Sequence, residues 1–212
     1  MAKTKAFDEH SEDYEQWFDL NKYAYESELR AIRHFIPGRG KGVEIGIGSG
    51  LFASPLGITN GIEPSSQMRE IASRRGLNVK EGVAENIPLE DSSIDYVLYV
   101  TTVCFVDDIE QSLKETWRIL KEGGRVVIGF VDKESAIGQV YQENKQYSTF
   151  YREAKFFSAR EMEELLSKLR FSNIEFVQTL FGELKNIDSI QDFQEGYGRG
   201  SFVVAKGEKT KK

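Results

Sequence analysis

The stretch Val43-Glu44-Ile45-Gly46-Ile47-Gly48-Ser49-Gly50 constrains this chain more than any other. A β-branched apolar run that stops at three alternating glycines reads as a buried strand leaving its sheet through a turn with unusual backbone angles. With no Cβ in the way, the backbone there can approach a ligand closely. In an open α/β sheet, nucleotide-type cofactors are received at this carboxyl edge.

The rest of the chain can supply such a sheet. Its 212 residues suit one domain with a full core, and 40% hydrophobic with 29% charged residues is an ordinary globular composition. A net charge of -6 argues against nucleic acid as the main partner, because phosphate backbones need a basic face. The one basic run, Lys209-Thr210-Lys211-Lys212, reads as a solvated tail. Cys104 is the single cysteine, which excludes an internal disulfide and a thiolate cluster. Two histidines, His10 and His34, are too few for a histidine-rich zinc site, so no metal is expected. No apolar run is long enough for a bilayer, and the first residues carry no apolar h-region, so no secretory signal is expected. A cytoplasmic protein without a membrane partner is expected, and the oligomeric state is open.

Residues 7–36 carry many aromatics, and Tyr25, Leu29, Ile32 and Ile36 share one helical face before Pro37-Gly38. This segment is expected to pack on the domain as an amino-terminal helical cap. Strands are expected at 41–47, 58–63, 77–80, 94–100 and 126–131. Between them fall a short helix over 51–56 before Gly57, a helix capped by Ser65, and a helix capped by Asp107 or Asp108. The last of these aligns Ile109, Leu113, Trp117 and Leu120, and Gly123-Gly124 ends it. Alternating strands and helices imply right-handed crossovers and a parallel sheet. Residues 132–170 then form a helical insertion that includes 136–147 and a helix opened by the capping box Ser158-Ala159-Arg160-Glu161. Strands at 174–180 and 201–205, with no helix between, should pair antiparallel. The expected fold is a single α/β domain over 1–212: a Rossmann-like, doubly wound sheet, mostly parallel with its last strand antiparallel.

The glycines allow two registers. Gly46-x-Gly48-x-Gly50 has the spacing of adenosylmethionine sites, whereas Gly48-Ser49-Gly50-Leu51-Phe52-Ala53 fits the G-x-G-x-x-A form of dinucleotide sites. A tight strand-to-helix turn without a ligand would also show either pattern. Glu44, two residues before Gly46, suits a cationic amino-acid cofactor, and Pro55 interrupts the helix that a pyrophosphate would want. Glu63, in Gly61-Ile62-Glu63-Pro64-Ser65, ends the second strand at the same edge, where a carboxylate can accept from both ribose hydroxyls. Gly82-Val83-Ala84-Glu85-Asn86-Ile87-Pro88 follows the third strand and offers backbone groups to an adenine edge. Met68 can pack on that ring, although a methionine at helical spacing is also an ordinary core residue.

Val-Glu-Ile-Gly-Ile-Gly-Ser-Gly, Gly-Ile-Glu-Pro-Ser, Gly-Val-Ala-Glu-Asn-Ile-Pro-Leu, Ser-Ser-Ile-Asp-Tyr-Val and Arg-Ile-Leu-Lys-Glu-Gly-Gly-Arg occur in this order. Together they resemble the class I S-adenosylmethionine-dependent methyltransferases, of the small-molecule branch that includes the ubiquinone and menaquinone methylases. The likeness runs from about Phe7 to Ala205. It implies a seven-stranded sheet with the last strand antiparallel. It implies that Gly46, Ile47, Gly48 and Gly50 line the methionine part, with Glu44 holding the loop or the ammonium. By the same likeness, Glu63 and Pro64 would hold the ribose, Val83, Ala84 and Glu85 would border the adenine with Met68, and Thr101 would lie beside the carboxylate and sulfonium. Tyr14 and Trp17 resemble a Tyr-x-x-Trp element that closes over the pocket. Two departures stand out. Valine occupies position 83, where an aspartate is common, and Val103-Cys104-Phe105 replaces a Leu-His-His segment, so no histidine base is supplied.

The expected chemistry is in-line displacement, in which an acceptor attacks an already activated methyl and the protein aligns the partners and excludes water. His10 and Tyr14 are the candidate catalytic side chains, and proximity alone could suffice. A small-molecule acceptor is expected against Tyr14, Trp17, Cys104, Tyr147 and Tyr151, with Tyr141 and Phe150 nearby. Two alternatives are a nicotinamide-dependent oxidoreductase using the second glycine register, and a protein that binds adenosylmethionine without turnover.

Overall fold

The computed structural model describes residues 3–210, so half of the carboxyl-terminal basic run, Lys211 and Lys212, lies outside the described residues. The sheet has strands β1 (Gly42–Ile45), β2 (Asn60–Glu63), β3 (Asn78–Glu81), β4 (Ile94–Val100), β5 (Leu120–Val131), β6 (Phe171–Thr179), β7 (Gln194–Glu195) and β8 (Phe202–Lys209). Their spatial order is β3-β2-β1-β4-β5-β8-β6-β7. Strands β1 to β5 are mutually parallel, and β8 runs antiparallel between β5 and β6. The expected mostly parallel sheet with an antiparallel end is therefore present. The two-residue β7 adds an eighth strand at the edge, through Val177↔Glu195 and Gln178↔Gln194. Its brevity is why no alternation in the sequence announces it. The chain leaves β1 toward β2 and β3 on one side and returns through β4 on the other. The carboxyl ends of β1 and β4 therefore flank a topological switch point, where such sheets bind ligands.

Helices α1 (Lys5–Glu9), α2 (Ser11–Leu20) and α3 (Lys22–Phe35) precede the sheet. Helices α4 (Ala53–Leu56), α5 (Ser66–Arg74), α6 (Ile109–Ile119), α7 (Ala136–Glu143) and α8 (Ala159–Lys168) connect or follow its strands. The anticipated caps are in place: Ser65 accepts from Met68 N–H, Asp108 from Gln111 N–H, and Ser158 with Glu161 closes a reciprocal capping box. Strand β4 shows why the sheet is covered twice. Val97 and Tyr99 pack with Leu113 of α6 and Met162 of α8, while Tyr96, Leu98 and Val100 pack with Leu29 and Ile32 of α3. Alternating residues on both faces are apolar, as a strand between two helical layers requires. The Tyr99 hydroxyl, fully buried, is satisfied by Ser112 at 3.0 Å and Thr116 at 2.7 Å.

Two local expectations are corrected. Leu120 belongs to β5 rather than to the face of α6, and Gly123-Gly124 does not end that helix. Strand pairing passes from Ile94↔Leu120 to Tyr96↔Arg125, so residues 121–124 bulge out of the ladder, with Gly123 at φ +73. Lys209 is not a solvated tail residue: its ammonium donates to the carbonyls of Trp117 at 2.7 Å and Leu120 at 2.5 Å.

Candidate functional site

Beyond Ile45 the chain turns through Gly46, Gly48 and Gly50 at φ +66, +55 and +86. The N–H groups of Gly46 and Ile47 donate to Ile62 O, and Gly48 N–H donates to Glu63 Oε2 at 2.8 Å. The glycines differ in purpose. A Cβ on Gly46 would lie 2.3 Å from Thr102 Cγ2, and one on Gly50 would lie 2.2 Å from Leu77 Cδ1, so both allow close packing. A Cβ on Gly48 would meet nothing nearer than Tyr14 Oη at 3.4 Å, so this glycine opens onto free space.

That space is a cavity of about 510 Å³. It is walled by the carboxyl ends of the central strands, the loop after β3, and the amino-terminal helices. Of the residues anticipated from sequence, Gly46, Gly48, Glu63, Pro64, Met68, Val83, Ala84, Glu85, Thr101, Tyr14, Trp17 and Tyr151 line it. Glu44, Ile47 and Gly50 are buried without lining it. Cys104 faces a small adjoining space, its thiol donates to Thr101 O, and burial pushes that thiol up to about 12, which suits a packing residue rather than a nucleophile. Tyr147 is 78% exposed, and His10 is turned outward with Nδ1 3.2 Å from Asp13 Oδ2, so neither meets the cavity.

The electrostatics mark this edge. Glu63 is 7% exposed, and its two oxygens take the N–H groups of Ser65 and Gly48, each keeping capacity for a further bond. Burial raises its pKa, against the lowering effect of those N–H groups and of Arg69. Glu44 is raised well above the usual carboxylate range, first by burial and then by the Glu63 charge, although Ala53 N–H hydrogen-bonds to it. Its Oε2 and Ser49 Oγ are buried polar atoms without a partner among the described residues. Thr101, at the end of β4, holds φ +51, a strained angle for a β-branched residue that recurs at ligand sites. Glu85 Oε1 accepts from the N–H groups of Asp107 and Asp108, so this acid also ties the loop after β3 to the start of α6.

The amino-terminal helices are fastened to both rims. Asp8 accepts from Ser65 Oγ at 2.6 Å and Gln67 N–H at 3.4 Å, while Lys3 bonds Phe105 O and pairs with Asp107 at 3.2 Å. Phe7 packs edge-on against Tyr14 and Phe105, with ring centres 5.9 and 5.2 Å apart. Sequence reasoning missed Glu28 of α3, which is 4% exposed and lines the cavity. It lies one position from Leu29 on an amphipathic helix, and its only signal was a charge next to the apolar face.

The residues present suit an adenosyl amino acid. A Cβ-free cradle at Gly48 and a buried carboxylate at the end of β2 line one cavity and offer backbone and ribose contacts in one place. The four-residue α4 gives no long helix whose amino end could face a pyrophosphate. Fold and site thus define a nucleoside-binding methyltransferase architecture. Comparison with known proteins agrees. A methyltransferase domain model matches residues 43–128. The crystal structure of a SAM-dependent methyltransferase, possible histamine N-methyltransferase, from Thermotoga maritima is 48% identical, covers 97% of this chain and 99% of its own, and superposes with a TM-score of 0.94. An uncharacterised protein of Methanocaldococcus jannaschii is 41% identical over 96% of this chain and 98% of its own length. A ubiquinone/menaquinone biosynthesis C-methyltransferase of Geotalea daltonii is 36% identical over 83 residues, 35% of each chain. The chain belongs to the S-adenosylmethionine-dependent methyltransferases, and S-adenosylmethionine is its cofactor.

Proposed function

We propose that the protein transfers the methyl group of S-adenosylmethionine to a small organic acceptor in the cytoplasm. One observation carries this reading: the glycine-loop cradle and an aromatic chamber containing Tyr14, Phe105, Phe150 and Tyr151 belong to one continuous cavity. When bound, the cofactor supplies a methyl group already activated on a sulfonium. Gly46, Gly48 and Thr101 would bound its methionine part, Glu63 its ribose, and Met68 with Val83, Ala84 and Glu85 its adenine. Glu44, set behind the loop, would hold the loop in shape. Residues 7–36 act as a cap and 132–170 as the acceptor-side wall, together excluding water from the reacting atoms. Aromatic walls and a volume of about 510 Å³ shared with the cofactor favour a compact acceptor. The name of the Thermotoga relative points to a nitrogen acceptor, and the chamber suits one.

The test is a thermal-shift series with S-adenosylmethionine, S-adenosylhomocysteine and NAD, followed by transfer of labelled methyl across an acceptor panel. Stabilisation by the two adenosyl compounds and labelled product are expected. Stabilisation by NAD alone would overturn the reading.

A further inference from the structure

The cavity holds a carboxyl group that no described residue pairs. Burial alone acts on Glu28, which is 4% exposed and has no hydrogen bond or ion pair with any described residue. Three phenols share its space: Tyr14 from α2, Tyr141 from α7, and Tyr151 from the turn at Tyr151–Glu153. Each feels the Glu28 charge, and none of their hydroxyls has a hydrogen-bond partner among the described residues. The rings are ordered against one another: Tyr141 stacks on Tyr151 with centres 5.0 Å apart, and Tyr14 meets Phe150 edge-on at 6.0 Å. Tyr14 also joins the two halves of the cavity. It stands over Gly48 and feels Glu44 and Glu63 as well as Glu28.

These four groups open onto the cavity, so a ligand that displaces its solvent must replace the hydrogen bonds they make there, and one that meets all four is favoured. A carboxylate among aromatic faces selects a cation with N–H groups, because ring faces attract the charge and the carboxylate accepts the protons. An anionic acceptor would find no counter-charge here. Among the described residues Lys3 is the one lysine or arginine lining the cavity, and it is already held by Phe105 O and Asp107.

We propose that Glu28 binds and deprotonates the amino group of the methyl acceptor, so that this enzyme acts on a small primary or secondary amine. The inference rests on the methyltransferase reading above. An ammonium has no free electron pair, so a nitrogen acceptor must first lose a proton. That proton passes from nitrogen to a Glu28 oxygen. The freed pair forms the new N–CH₃ bond while the C–S bond breaks and its electrons stay on sulfur. The positive charge thus moves from sulfur to nitrogen, and the product ammonium leaves as Glu28 returns its proton to water.

This assignment has a proton signature. Burial pushes Glu28 up to about 8, so below that pH the carboxyl is protonated before the amine arrives. Uptake of an ammonium then expels one proton, and affinity should rise by about tenfold per pH unit up to that value. The groups around it do not mask this signature. Tyr14, Tyr141 and Tyr151 are all raised by burial and stay neutral, as does Tyr25 on the same helix, which is raised to about 12. Glu44 and Glu63 act on Tyr14, whereas burial alone acts on Glu28.

The experiment is titration calorimetry of the protein loaded with S-adenosylhomocysteine. The probes are phenethylamine, histamine, 2-phenylethanol and phenylacetate, measured in buffers of different ionisation heat at about pH 6.5 and about pH 8.5. We expect an amine to bind at least about tenfold tighter than the alcohol or the acid, with proton release at the lower pH. Glu28→Gln should lose about tenfold or more in amine affinity, lose the proton release, and keep its affinity for S-adenosylhomocysteine, which also reports that it folds. Equal binding of the alcohol or acid, unchanged amine affinity in Glu28→Gln, or no amine binding to the loaded protein would each overturn the assignment. Should Glu28→Gln fail to bind S-adenosylhomocysteine, the proton release of the parent protein decides alone. Failure of the parent to bind S-adenosylhomocysteine would instead overturn the methyltransferase reading and this inference with it.

Discussion

At the scale of single residues, the glycine loop shows how one motif divides its labour. Gly48 faces the cavity, whereas Gly50 packs on Leu77. Gly48→Ala is expected to fold, with a penalty of about 1–2 kcal/mol for its left-handed angle, and to weaken S-adenosylmethionine binding because its methyl points into the cofactor space. Gly50→Ala pays the same angular penalty and drives a methyl group into a buried leucine, so its melting temperature should fall further while any folded fraction keeps its affinity. Calorimetric binding and thermal melts separate the two, and equal loss of affinity in both variants would refute the division. Glu63→Gln replaces one carboxylate oxygen by a donor that faces Ser65 N–H or Gly48 N–H. A charge-assisted bond is worth about 1.5–3 kcal/mol, so affinity for S-adenosylmethionine should drop by about 10- to 100-fold. Unchanged affinity would mean the ribose is held elsewhere. The cofactor side of the site was legible in the sequence because its residues cluster in short motifs at strand ends. Glu28 was not. It carries no motif, and its chemistry arises only when α2, α3, α7 and the turn at 151–153 meet.

At the scale of elements, the question is what the amino-terminal helices do. Helix α1 has five residues and no buried side chain, so its own core contacts cannot hold it. It is held by ties to the cavity rims: Asp8 to Ser65 and Gln67, and Phe7 to Phe105 and Phe150. Such a segment should open readily and tighten when the cavity fills. Amide exchange over residues 5–20 is therefore expected to slow on binding of S-adenosylhomocysteine more than exchange in β4, and Asp8→Ala should shorten the lifetime of the complex. Exchange unaffected by the ligand would argue that these helices are only packing. Sequence periodicity located α3 well, since its apolar face repeats every three to four residues. It located α1 poorly, because a one-turn helix held by distant partners leaves no period. The same limit hid β7 and shifted the end of α6, where the strand bulge at 121–124 imitates a glycine stop.

At the scale of the whole molecule, the order of strands followed from connection rules once the strands were recognised. The consequence of folding this sequence around an acid-lined cavity did not. Folding buries Glu28, Glu44 and Glu63 at or beside the cavity, and the pKa of each is raised. A raised carboxyl binds a proton in the folded chain at a pH where the unfolded chain has released it. Its contribution is therefore fully present below about 4.5 and is lost as pH rises toward the folded value. For Glu28 that window runs from the ordinary glutamate value of 4.5 to about 8. Asp8, Asp95, Glu115, Glu161 and Glu208 are lowered and act in the opposite sense, losing stability as pH falls below the ordinary carboxylate range. They lie near the surface, where solvent screens such pairs and makes them weak. The ligand-free protein should consequently be most stable near about pH 5 and melt at progressively lower temperature toward pH 8, at up to about 1.4 kcal/mol per pH unit for each buried group titrating. Glu28→Gln removes one of these groups without removing a bond. It should match the parent near pH 5, exceed it in melting temperature by pH 8, and show a shallower slope between. A parent whose stability rises from pH 5 to 8, or a Glu28→Gln profile parallel to it, would mean that Glu28 is not held neutral in the empty cavity.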